Sequence, residues 1–297
     1  MASNYFIILC YLILAYSTTC HRKLFVESIY NRPGTTAESI LREIGFVAES
    51  HKIATSDGYL LEITRGRNRL FVDENAARGK RPQKEPILFL HGSGASATIW
   101  LAQVTSDSRP KDLTQFDLEE TSIEKLQEVL ADEPTKNCFP LLALNFGYEV
   151  WLLVRRGKLE SLERTQSDRS YAEPKDNEIE EVIATANSKA TSLISNLNLT
   201  QSARGYFESI EPILNLPFAL LGNGHLAKLK AVSRDKHFWN YSHDEQISRD
   251  LPETIDYIQK VTQSKKKVVL VGHSMGSVVA LLALAEQPAL SEKGKCH

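Results

Sequence analysis

The residues of this chain best placed to do chemistry form one run, Gly272-His273-Ser274-Met275-Gly276. A serine between glycines is common in any protein, so its setting decides. A continuous apolar run, Val268 to Val271, leads straight into it, and a helix-forming run, Ser277 to Glu286, follows it. A serine on a tight strand-to-helix turn is forced outward with its hydroxyl accessible. Glycines on either side relieve crowding where the backbone doubles back. The chemistry that this suits is nucleophilic attack on a carbonyl, with Ser274 as nucleophile and Gly272, His273 and Gly276 forming the elbow around it.

Such an attack builds negative charge on the carbonyl oxygen, and in this architecture two backbone N–H groups receive it. One follows the nucleophile, which makes Met275 the first donor. The other comes from a loop after an earlier strand. The apolar run Ile87 to Leu90 ends in His91-Gly92-Ser93-Gly94, so Ser93 is the expected second donor. His91 is expected to hold this turn by hydrogen bonding rather than to act as a base. His273 is expected to point away from the serine hydroxyl.

Three elements must position these groups. Pro86 to Leu90, Tyr148 to Val154 and Val268 to Val271 are short apolar runs of the kind that strands buried on both faces require. Helical patterns precede the second and third, which predicts parallel strands with crossover helices. Upstream, apolar and polar residues alternate over His51 to Thr64 on both sides of Ser56-Asp57-Gly58, a hairpin signal.

Two segments read as inserts, at about 105–137 and 158–223. In the first, Thr121 and Glu124 have capping-box spacing, and Ile123, Leu126, Val129 and Leu130 share one helical face. In the second, Ile179, Val182, Ile183, Ala186, Ala190, Leu193, Ile194 and Leu197 step by three and four, the pattern of a surface helix packed on the main domain. Pro212 and Pro217 argue against a long helix or central strand over Ile210 to Leu221.

The bulk numbers narrow the class. With 297 residues, 42% of them apolar and 24% charged, the chain suits a large globular domain, and its net charge of −2 offers nothing to a nucleic acid. Tyr5 to Tyr16 is almost unbroken apolar sequence followed by Ser17, Thr18 and Thr19. This reads as a signal peptide over residues 1–19 and is too short for a stable transmembrane span. The expected destination is secreted or lysosomal, and sequons at Asn198 and Asn240 fit that route as glycosylation sites. Cys10 would leave with the signal peptide. Cys20, Cys138 and Cys296 lack zinc-type spacing, so no metal is expected and one disulfide is left open in its pairing.

Ordered blocks along the chain carry a family resemblance. Gly45-Phe46 with His51 to Leu61, Leu90-His91-Gly92 followed by Trp100, Phe146 to Leu152, Phe238 to Glu245 and Asp250 to Ile258 are similar, in order, to segments of the acid lipases, the gastric and lysosomal type. The resemblance implies an α/β-hydrolase fold, a mostly parallel sheet with flanking helices, over about 41–290. It also implies a serine lipase acting on lipid esters without a cofactor, in contact with a lipid surface. The family usually has Leu at the position of Ser93 and Gln at that of Met275. Both sites donate through backbone N–H, so neither change removes a donor. The arginine-glycine turn after Leu152 is separated from its usual continuation, which resumes near His225.

In this family the cap, later strands, catalytic Asp and catalytic His follow the helix after the nucleophile. No Asp lies between Ser274 and His297, and the only histidine there is His297 itself. The expectation is therefore a partial hydrolase fold whose C-terminal part and cap are missing, with little or no turnover by residues 1–297 alone. Two other readings stay open: a secreted lipid-binding protein without enzymatic activity, and another α/β-hydrolase such as a thioesterase or monoglyceride-type lipase. Phe238-Trp239 and Asp250-Leu251-Pro252 favour the acid lipase reading over the latter.

Overall fold

A computed structural model describes residues 35–72, 84–93, 95–105, 107–116, 120–165, 238–263 and 266–292. The expected signal peptide, the helix at Ile179 to Leu197 and the sequon at Asn198 lie outside the described residues. Helix α1 (Ala37–Glu43) starts from a reciprocal cap in which Thr36 accepts from the Ser39 N–H and the Ser39 hydroxyl from that of Thr36. Strands β1 (Val47–Ala54) and β2 (Tyr59–Arg67) form the hairpin, paired from Val47↔Arg67 to Ala54↔Leu60. It is longer than the alternation alone marked out.

Strand β3 (Ile87–Leu90) follows, then a 3₁₀ turn (Ala97–Leu101), α2 (Ile123–Leu130), α3 (Phe139–Asn145), β4 (Val150–Leu153) and the two-residue β5 (Glu163–Arg164). A helical turn (His243–Glu245) and a π-turn (Gln246–Asp250) lead into α4 (Leu251–Thr262). Strand β6 (Val269–Gly272), α5 (Met275–Glu286) and α6 (Ala289–Glu292) complete the described order.

The sheet runs β1-β2-β4-β3-β6, with β5 beside β2. It is antiparallel from β1 to β4 and parallel through β4, β3 and β6, so the parallel part carries the candidate site. Successive residues of each central strand enter different cores. Leu88, Leu90, Trp151 and Leu153 pack with Ile255 and Ile258 of α4 and Val279, Ala280 and Ala283 of α5. Ile87, Phe89, Val150 and Leu152 pack with Ile40 and Leu41 of α1 and Leu141 and Leu144 of α3. All eight strand residues are buried, which is why these runs are apolar without alternation.

The inserts differ from expectation in detail. Helix α2 is capped by Ser122, which accepts from the Lys125 N–H, one residue later than the Thr121 spacing suggested. Its apolar face is not buried: Ile123 is 62% exposed, and no residue of the helix is fully covered. The segment's edges are stitched to the domain around Asn145, whose side-chain oxygen accepts from the Lys111 N–H and the Asn68 amide, while its own amide donates to Thr135. Of the start of the second insert, Glu163 and Arg164 join the sheet and Ser161 is bonded to it. The Ser161 hydroxyl donates to the Val154 carbonyl and accepts from the Glu62 N–H, and β5 pairs with β2.

Candidate active site

The site assembles at the ends of two parallel neighbours, β3 and β6, which pair from Ile87↔Val269 to Leu90↔Gly272. One more ladder bond, from the His273 N–H to the Leu90 carbonyl at 3.0 Å, carries the pairing past the strand ends. The chain then reverses into α5 through Ser274, at φ 52 and ψ −122. That is a strained conformation for a side chain other than glycine, and packing must hold it. Ser274 is exposed and makes no capping hydrogen bond to the helix that it precedes.

The elbow's glycines are required by space. A Cβ on Gly272 would lie 2.6 Å from the Ser277 backbone, and one on Gly276 would lie 2.2 Å from the Leu90 carbonyl oxygen. Both obstacles are main chain and cannot swing aside. The same geometry brings the β3 turn to the elbow, since a Cβ on Gly92 would sit 3.0 Å from Ser274 Cβ and 3.0 Å from His273 Nδ1. Ser93, next in the chain, is exposed. Met275 is the first residue of α5, so its N–H has no acceptor within the helix. Among the described residues, neither the Ser93 nor the Met275 N–H donates to another backbone group.

His91 is fully buried, and both ring nitrogens are engaged. Nδ1 donates to the Gly92 carbonyl at 2.8 Å, and Nε2 accepts from the Arg155 N–H at 3.2 Å. This selects the neutral tautomer protonated on Nδ1. Burial drives its pKa down to about 4 against the favourable Gly92 bond, with Arg155 and Lys158 adding repulsion. His273 is exposed, and its ring meets Trp100 edge to face at 6.3 Å.

Below the turn lie two buried arginines, Arg155 and Arg156, from the arginine-glycine turn after β4. The Arg155 guanidinium donates to the Gly92 carbonyl at 2.9 Å and to the Gln246 side-chain oxygen at 3.0 Å. Arg156 donates to Asp250 at 2.9 Å and to Asp57 at 2.8 Å, and its guanidinium carbon stands 4.1 Å from the Tyr59 ring centre. Burial works against the Asp57 carboxylate, but hydrogen bonds from Arg156 and Thr55 outweigh it and hold its pKa below the usual value. Burial pushes Asp250 the other way, to about 6, despite Arg156 and with Asp57 and Glu253 adding repulsion. The signal that could have found this cluster was the pairing of two arginines after a buried strand with aspartates in two separate motif blocks.

Asn240 is exposed and lines an open hollow of about 280 Å³ with Asp57, Tyr59, Arg164, Glu245 and Arg249, none of them an elbow residue. Cys138 is a buried free thiol that donates to the Trp100 carbonyl, and burial pushes its pKa up to about 12. No cluster of metal-binding side chains occurs among the described residues, nor is any described helix long and apolar enough to cross a membrane.

A sheet whose parallel strand turns through a positive-φ serine into a helix, flanked by sterically required glycines, defines a protein of the α/β-hydrolase class. Residues 37–104 match the family model described as a partial alpha/beta-hydrolase lipase region, and residues 227–292 match an esterase model. Gastric triacylglycerol lipases from Bos taurus and Homo sapiens are each 23% identical over 252 residues, covering 84% of this chain and 38% of their own length. A tear acid lipase-like protein from Mesocricetus auratus is 45% identical over 256 residues, covering 86% of this chain and 39% of its own. The chain thus spans about two fifths of the length of these relatives. These similarities support an assignment to the acid lipase family.

Proposed function

We propose that the protein is a serine hydrolase of lipid esters, with Ser274 as nucleophile and the N–H groups of Ser93 and Met275 as oxyanion donors. The observation that carries this reading is the exposed Ser274 at φ 52 between β6 and α5, with the β3 turn packed against it. In the reaction, Ser274 Oγ bonds to the acyl carbon while its proton passes to a base. The tetrahedral oxygen is stabilised by the two N–H groups, and the alcohol leaves with that proton. Water then releases the acid and restores the serine.

None of the described histidines near the elbow is assigned the role of base. His91 has both nitrogens committed, and His273 stands beside Trp100. The base and its acid are proposed to come from outside the described residues. The similarity to gastric and tear lipases supports a lipid ester as substrate, contact with a lipid surface, and secretion with a signal peptide at 1–19. The exposed Asn240 supports N-glycosylation there. About 41–290 is proposed as the lipase domain.

The test is covalent labelling by a long-chain alkylphosphonate ester, read by peptide mass spectrometry, alongside hydrolysis of a triacylglycerol emulsion by the full-length protein. The adduct is expected on Ser274, and Ser274→Ala is expected to abolish both signals. Hydrolysis that survives Ser274→Ala would overturn the assignment.

A further inference from the structure

We propose that Arg155 is a positioning residue that aims the Ser93 N–H at the reacting carbonyl oxygen. This rests on the reading of Ser93 as an oxyanion donor, and its geometric basis is the Gly92 carbonyl. That oxygen accepts from His91 Nδ1 at 2.8 Å and from Arg155 Nη2 at 2.9 Å, so both lone pairs are taken by groups beneath the turn. The Gly92–Ser93 peptide is planar and trans, like every described peptide bond, so its N–H points opposite to its C=O. With the carbonyl bonded to those two donors, the Ser93 N–H is directed away from them, and the adjoining Gly92 approaches the elbow so closely that a Cβ there would fall 3.0 Å from Ser274 Cβ.

The environment of Arg155 supports this role. The residue is 6% exposed; among the described residues its guanidinium bonds only to the Gly92 carbonyl and the Gln246 amide oxygen, and its buried Nε has no hydrogen-bond partner. Its carboxylate interaction, with Asp250, is at longer range, and burial lowers its pKa. A buried cation without a directly bonded counter-ion is a poor way to gain stability. It is a good way to fix and polarise a carbonyl, and a donor bonded to that carbonyl strengthens the N–H of the same peptide. Arg155 also donates its backbone N–H to His91 Nε2, so one residue sets both donors that hold the Gly92 oxygen.

The experiment uses the full-length protein with Arg155→Met, Arg155→Lys and Gln246→Met. It reads the rate of phosphonate labelling at Ser274 and, separately, kcat and KM for a soluble short-chain ester. Because a misaimed donor loses part of what a deleted one loses, Arg155→Met should lower labelling and kcat by about 10–100-fold, with KM changed less than about twofold. Arg155→Lys, which keeps the charge and a donor, should recover part of this. Gln246→Met, which frees one side of the guanidinium, should lower kcat about threefold and keeps the test open if Arg155→Met does not fold. Labelling and kcat within about twofold of wild type in both Met variants would overturn the proposal while leaving Ser274 as nucleophile. If wild-type Ser274 is not labelled, the nucleophile reading fails on its own. A crystal structure of Arg155→Met then decides the positioning role: a Gly92–Ser93 peptide tilted about its remaining His91 bond supports it, and an unmoved Gly92 carbonyl overturns it.

Discussion

Arg155 and Arg156 are consecutive, both buried, and differently employed. Arg156 bonds two carboxylates from distant parts of the chain, Asp57 in the hairpin turn and Asp250 before α4, and lies over the rings of Tyr59 and Tyr241. Arg155 bonds two neutral oxygens, one of them in the turn beside Ser274. The first arrangement fastens three segments together, and the second orients one peptide. A buried charge can therefore serve stability or site geometry, and its partners show which.

The largest expected effect tests the fastener. Arg156→Met leaves Asp250 buried and facing Asp57 without a cation, and breaking a buried pair on one side typically costs about 3–5 kcal/mol. Urea denaturation should show a loss of that order. A loss below about 1 kcal/mol would mean that Arg156 is not the fastener described.

Acidification should separate the two neighbourhoods by sign. On the Arg155 side, His91 has a folded pKa of about 4 against 6.5 unfolded. The unfolded chain takes up a proton that the folded one refuses, so stability present above pH 6.5 is lost as pH falls towards 4. That loss is about 3 kcal/mol. On the Arg156 side, Asp250 has a folded pKa of about 6 against 3.8. There the folded state takes up the proton first, so stability rises by about 3 kcal/mol as pH falls from 6 to 3.8. The two terms nearly cancel in the wild type until the lowered carboxylates, Glu49, Asp57, Glu133 and Glu245, begin to withdraw stability below about pH 4.5. Asp250→Asn removes the compensating term, so its stability relative to wild type should fall by about 3 kcal/mol between pH 6 and 4. A parallel pair of stability–pH curves would contradict this.

The strands and the elbow were legible in sequence because their physics is local. Ile87 to Leu90 and Val150 to Leu153 are apolar at every position since both faces are covered, and Gly272 and Gly276 announce a turn with no room for Cβ. The hairpin was legible for the same reason, through alternation about Asp57-Gly58. The arginine cluster was not, because its partners Asp57, Asp250, Gly92 and Gln246 are 63 to 99 residues away in the chain and nothing periodic relates them. The cap of α2 was displaced by one residue, because Thr121, Ser122 and Glu124 offer two overlapping signals and the backbone used Ser122. Residues 158–165 read as insert since charge dominates them, yet Ser161 closes the end of β4 with a single hydroxyl.

The smallest expected effect on stability is the one that most sharpens the contrast. Arg155→Met removes two hydrogen bonds, each worth about 1 kcal/mol net. It also removes the cost of burying a charge without a bonded counter-ion, and replacing such a group with an apolar one of similar length is often neutral. The Gly92 carbonyl keeps its bond from His91 Nδ1, so no backbone oxygen is left bare. Two oxygens lose a donor, but among the described residues only that of Gln246 is left without another. These terms offset one another, and the unfolding free energy of Arg155→Met should lie within about 1 kcal/mol of wild type. Chemistry at Ser274 should nevertheless fall by the factor argued above. Arg156→Met should do the reverse, losing stability while the surviving folded fraction labels at close to the wild-type rate. Denaturation midpoints and labelling rates measured on both variants give the comparison directly. A loss above about 3 kcal/mol in Arg155→Met, matched to that of Arg156→Met, would make both arginines fasteners and remove the distinction between them.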